Sequence, residues 1–148
     1  KMIDLYSDTG PAYATNESAR STYEETIFTI EALRIIHTVN LAGDGAEEGV
    51  ETTAASPTTA TKPLFLYYAA HVAHEPYEVP PEYESQFDFI DVEERRVYHA
   101  MVKLIDDTIA TLVRAIQTHQ NMWENTLFVL TSDNGGPIGK AAGANNYP

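Results

Sequence analysis

Two continuous apolar runs, each closed by polar turn residues, and two stretches of helical periodicity set the frame of this chain. Leu64-Phe65-Leu66-Tyr67-Tyr68-Ala69-Ala70 follows Lys62-Pro63 and carries apolar or aromatic side chains at successive rather than alternate positions. That pattern predicts a strand covered on both faces, as at the centre of a parallel sheet. Thr126-Leu127-Phe128-Val129-Leu130-Thr131 repeats it and stops at Ser132-Asp133-Asn134-Gly135-Gly136. Between the runs, Val97, Met101, Leu104, Ile105, Ile109, Leu112, Val113 and Ile116 recur at helical spacing and predict one broad apolar stripe on a helix over 93–118. Upstream, Ser21-Thr22-Tyr23-Glu24 has the form of a capping box, and Ile27, Ile30, Leu33 and Ile36 follow it, predicting a helix over 23–38. Strand, helix, strand is a βαβ unit with a right-handed crossover, so the expected fold class is α/β, a parallel sheet with flanking helices. In such sheets ligands bind beyond the carboxyl ends of the strands. Here those ends are His74 and the Asp133-Asn134 pair.

The segments around this frame are polar. Residues 1–20 show no apolar period and read as irregular chain. Residues 41–61 hold three glycines, four acidic residues and a Thr/Ala/Ser-rich run with no Lys or Arg, which predicts a low-complexity insertion between two real elements. A Pro- and Tyr-rich acidic loop follows the first run. With 148 residues the chain has room for one core. Its nine Lys plus Arg against 22 Asp plus Glu give 9 − 22 = −13, which excludes nucleic acid as a partner. No apolar stretch is long enough for a membrane span. There is no cysteine, hence no disulfide, thiolate site or cysteine nucleophile. Lys1 in place of an initiating Met, the absence of a signal peptide and the glycine-rich end imply an excerpt of a longer product.

Asp133 and Asn134 offer a carboxylate and a carbonyl oxygen side by side, the hard-oxygen chemistry of a Ca²⁺ or Mg²⁺ ligand pair. Asp-Asn-Gly-Gly is equally good turn chemistry, and it is the position at a strand end that favours the metal reading. His74 can serve as acid, hydrogen-bond donor to an anion or metal ligand, with Glu75 placed to set its tautomer. A lone His before Glu-Pro is also ordinary loop chemistry. Alternation along an extended chain sends His71 to the opposite side from His74, so His71 reads as structural, and His37, His99 and His119 read as helix-face residues. Asn16-Glu17-Ser18 matches the N-glycosylation acceptor pattern, which matters only for a secreted chain.

Taken in order, Lys62 to Ala69, His74-Glu75-Pro76 with Val79-Pro80, Tyr98 to Asp106, Asn125 into Ser132-Asp133-Asn134-Gly135-Gly136, and Asn145-Asn146-Tyr147-Pro148 resemble the type I sulfatases, nearest the arylsulfatase B (N-acetylgalactosamine-4-sulfatase) branch. The resemblance covers 62–148, extends more faintly to Ser21–Ile36, and has no counterpart for 41–61. It implies that 1–148 is part of a sulfatase catalytic domain of alkaline-phosphatase-like α/β fold. It further implies hydrolysis of sulfate esters, of sulfated glycans or aryl sulfates, at a formylglycine nucleophile beside one Ca²⁺, in a lysosomal or secreted enzyme. Asp133 and Asn134 then inherit the calcium, and His74 the catalytic role of acid or donor toward the sulfate and its leaving oxygen.

The departures are specific. The nucleophile motif Cys-x-Pro-x-Arg is absent, as are the amino-terminal Asp-Asp calcium ligands, and Lys140 is misplaced to serve as the family lysine. The expectation is therefore an isolated chain that binds Ca²⁺ poorly and turns nothing over. The alternatives are a truncated non-catalytic or pseudoenzyme product, or another hydrolase of the superfamily, whose two-zinc ligand set these motifs do not resemble.

Overall fold

The computed structural model describes residues 6–7, 10–11, 22–44, 63–119 and 121–136. The Asn16 triplet, Ser21 of the expected capping box, most of the 41–61 insertion and the Asn145–Pro148 step lie outside them. Near the start, β1 (Tyr6–Ser7) pairs antiparallel with β2 (Gly10–Pro11). The first helix, α1, runs Glu24–Asp44, so its end overlaps the first four residues of the expected insertion. A short helix α2 (Pro81–Glu84) has Pro81 in its first turn, where a missing N–H costs nothing. The long helix α3 spans Glu93–Thr118, the range its periodicity predicts.

The α3 face that is buried consists of Val97, Ala100, Met101, Leu104, Thr108, Leu112 and Ile116. Ile105, Ile109 and Val113, read as part of the stripe, are only half-buried, and Ala100 and Thr108 take their place. On α1 the buried positions are Glu25, Ala32 and Ile36, whereas Ile30 is 60% exposed. The three-residue steps Ile27, Ile30, Leu33 drift around a 3.6-residue helix, and the track that stays on one face passes through 25, 29, 32 and 36. Ala32 and Ile36 meet Leu112 and Ile116 in one apolar seam, with Leu33, Leu64, Leu66, Tyr68, Ala115 and Met122 packed around it. Arg96 ties α2 to α3: its Nε lies 3.0 Å from Glu84 Oε1 and its guanidinium also donates to Ile90 O at 3.2 Å.

Both apolar runs are extended, but among the described residues no ladder of hydrogen bonds joins them to each other or to a third strand. The parallel sheet of the expected fold is therefore not formed there. Along 64–68 the side chains alternate: Leu64, Leu66 and Tyr68 pack on the seam, while Phe65 and Tyr67 are 90% and 81% exposed. The expected burial on both faces is met on one. In the second run Leu127, Val129 and Leu130 are exposed. The two runs line one open groove together with Met101, Ile105, Ile109, Leu112 and Ile116 of α3.

Ile36 is fully buried in the seam. Ile36→Ala is expected to lower unfolding stability by about 2–5 kcal/mol in a denaturant melt. Phe65→Ser, on the uncovered face, should change it by about 0.5 kcal/mol or less. Equal costs at the two positions would contradict this packing.

Candidate functional site

The two extended runs deliver the candidate residues to one groove: His74 and Glu75 after the first, Ser132 to Gly136 after the second. The chain does not stay extended past Ala70. It turns, with the His74 amide donating to His71 O at 3.1 Å, and the Val72–Ala73 and Glu75–Pro76 peptide bonds are both cis. The alternation expected to separate His71 from His74 is thus replaced by a turn.

His74 is exposed, and its Nδ1 lies 2.8 Å from the backbone carbonyl of Glu75. A carbonyl only accepts, so Nδ1 carries the proton and the tautomer is fixed from one side. Nε2 is left to face other chemistry: a base when the ring is neutral, a donor when it is protonated. Glu75 does set the tautomer, through its main chain and not its carboxylate. His71 is differently engaged. Its Nδ1 lies 2.9 Å from Glu24 Oε2, and its ring meets Phe28 edge-on with centroids 5.1 Å apart.

At the second run's end, the Asn134 amide donates to Asp133 Oδ1 at 2.8 Å and Asn134 Nδ2 donates to Gly135 O at 2.8 Å. Ser132 Oγ donates to Asn134 O at 2.5 Å. This is the turn chemistry foreseen for Asp-Asn-Gly-Gly, and it is compatible with metal binding. These hydrogen bonds use the two Asn134 nitrogens as donors and Asp133 Oδ1 as an acceptor, and none of them engages Asn134 Oδ1 or Asp133 Oδ2, both hard oxygens. The chemistry of the pair fits Ca²⁺, but its number falls short of the 6–8 ligands such an ion takes. Among the described residues no group of three or more His, Asp or Glu is gathered to complete the set.

A third element meets the site that sequence reasoning did not assign to it. Tyr23, at the start of α1, donates its hydroxyl to Glu78 O at 2.9 Å. Glu25 Oε1 accepts from the Tyr68 hydroxyl at 2.5 Å and Oε2 from the His71 amide at 3.2 Å. An acidic pair in a first helical turn reads only as a complement to the helix dipole, and Tyr68 reads as part of an apolar run, so no sequence signal singled these residues out. Burial, then the charges of Glu25, Glu78 and Glu24, pushes the Tyr23 hydroxyl up to about 12. Burial and the hydrogen bond to Glu25 push Tyr68 up as well.

The sulfatase family model matches residues 38–148. This chain belongs to the sulfatase family. The chain is 35% identical over 88 residues to mouse (Mus musculus) arylsulfatase J, a match that takes in 60% of this chain and 14% of that relative, so it spans a small part of the relative's length. No solved structure matches it. Membership implies the alkaline-phosphatase-like α/β architecture; among the described residues α3 lies between the two apolar runs, and no parallel sheet joins them.

The raised tyrosines give the fold of this chain an alkaline limit. A phenol whose folded pKa lies above its unfolded value of 10.0 contributes stability that is complete below pH 10 and lost as pH rises through the folded value, about 12 for Tyr23. Denaturant midpoints should hold to about pH 10 and fall toward pH 12. The doubly substituted Tyr23→Phe, Tyr68→Phe chain should show a smaller fall. An identical alkaline loss in that variant would refute the assignment.

Proposed function

We propose that residues 1–148 are part of the catalytic domain of a sulfuric ester hydrolase, with 41–61 inserted and 62–148 carrying the family core. His74 is its acid or hydrogen-bond donor, and Asp133 and Asn134 are part of its calcium site. One observation carries the reading. No Lys or Arg is among the described residues lining the groove, and of its two histidines His71 is paired with Glu24, which leaves His74 to meet an anion. A sulfate ester needs positive charge on its oxygens and a proton for its departing oxygen. When the ring is doubly protonated, His74 Nε2–H can donate that proton to the departing alkoxide or phenoxide oxygen as an incoming oxygen nucleophile displaces it from sulfur, leaving the neutral Nδ1–H ring that Glu75 O holds. Asp133 Oδ2 and Asn134 Oδ1 would hold the calcium. A bound Ca²⁺ supplies charge neutralisation at the sulfate oxygens and orientation of the ester.

In this reading the substrates are sulfate esters of glycans or phenols and the parent enzyme is lysosomal or secreted, which the family and the arylsulfatase relative support. No helix among the described residues is long and apolar enough to cross a membrane. A second reading for the isolated polypeptide is a non-catalytic sulfatase-like product, supported by the lack of any Cys-x-Pro-x-Arg or Ser-x-Pro-x-Arg motif in this chain.

The purified 148-residue chain is expected to release no sulfate from an aryl sulfate above the uncatalysed background, and measurable turnover would sink that expectation. In a longer polypeptide joining this chain to a formylglycine-bearing segment, His74→Ala should lower kcat by about 10²–10⁴-fold. The loss should be greatest for sugar sulfates, whose leaving alcohols need the proton most. An unchanged kcat on such a substrate removes His74 from the reaction.

A further inference from the structure

Three consecutive residues at the start of α1 grip the His74 loop from both sides. Tyr23 reaches Glu78 beyond it, and Glu24 and Glu25 reach His71 before it. Glu25 is the unusual member: it is 2% exposed, and its two oxygens meet a phenol and a backbone amide rather than a cation. Burying a carboxylate is costly unless donors meet both oxygens. Both oxygens are met here: the Tyr68 hydroxyl donates to Oε1 and the His71 amide to Oε2, while Thr29 Oγ1 donates to Glu25 O at 2.7 Å and lies 3.1 Å from the Tyr68 hydroxyl. Of the side chains that fit this space, a carboxylate alone offers an acceptor to each donor, since an amide would turn a donor toward one of them. The first turn of a helix is also where the macrodipole favours negative charge.

From Glu25 the hydrogen bonds run on without a break. Oε2 holds the His71 amide, His71 O holds the His74 amide, and Glu75 O holds His74 Nδ1. We propose that Glu25 is a positioning residue of the site: its buried carboxylate ties the Tyr68 hydroxyl to the His71 amide and thereby fixes the turn that presents His74. The role of His74 as proton donor rests on the function proposed above, whereas the Glu25 contact and its effect on the turn are measurable without it.

The test is nitrogen-15 NMR on the 148-residue chain and its Glu25→Gln variant. In the variant the His71 amide should exchange with solvent about tenfold faster or more. The His74 ring should pass from a single Nδ1–H form to an averaged mixture, while Ala100, Leu104 and Leu112 amides in α3 keep their exchange rates. A folded Glu25→Gln chain with unchanged His71 exchange and His74 ring signals overturns the proposal. If that variant does not fold, the wild-type chain decides. A scalar coupling across the hydrogen bond between His71 N and the Glu25 carboxyl carbon supports the proposal, and its absence overturns it. A His74 ring held in the Nδ1–H form but indifferent to added sulfate would count against the proposed function and leave the Glu25 role standing.

Discussion

The apolar seam between α1 and α3 determines where the two apolar runs can lie. Ala32 and Ile36 on one helix and Leu112 and Ile116 on the other exclude water along a strip wide enough to take one face of the 64–68 run as well. Because Leu64, Leu66 and Tyr68 dock on that strip, the direction in which the run leaves it is fixed, and so is the place where the chain turns at His71. Met122 packs at the other end of the seam and anchors the chain as it enters the second run. Remove the seam, and neither His74 nor Asp133 has a defined position.

The polar contacts make a coarse placement into a fine one. Apolar packing is tolerant of small shifts, whereas hydrogen bonds are not. Tyr23, Glu24 and Glu25 emerge from the buried helix and hold both flanks of the loop that carries His74. This has an electrostatic consequence. A chain of net charge −13 repels an anionic ester, and a groove whose described lining holds no Lys or Arg offers little to offset that repulsion. Within the proposed function, His74 and a divalent ion at Asp133 and Asn134 are therefore needed for binding as much as for chemistry.

What the sequence disclosed follows the same physics. The range of α3 was legible because its burial recurs with the helical period over seven turns, and the start of α1 because the capping-box pattern Ser21-Thr22-Tyr23-Glu24 marks it. The finer faces were not, since Ile30 and Ile36 are chemically alike while only the three-dimensional track decides that one is exposed and the other buried. The apolar runs recorded a demand for cover on two faces, and the described residues supply it on one. A strand also needs a neighbour for its backbone groups, which composition cannot provide. His74 and Asp133-Asn134 stood out because their chemistry is local to a motif. Glu25 did not, because its meaning lies in Tyr68 and His71, more than 40 residues away in sequence.

In the proposed function the Asp133-Asn134 turn and His74 belong to one cation and sulfate site. Relaxation enhancement by a paramagnetic lanthanide, a hard cation that stands in for calcium, tests this in a single measurement on the 148-residue chain. Broadening is expected at the Asp133, Asn134 and Gly135 amides and at the His74 ring, lost in Asp133→Asn. Broadening confined to the acidic segment 81–94, or broadening at Asp133 that never reaches His74, would contradict it.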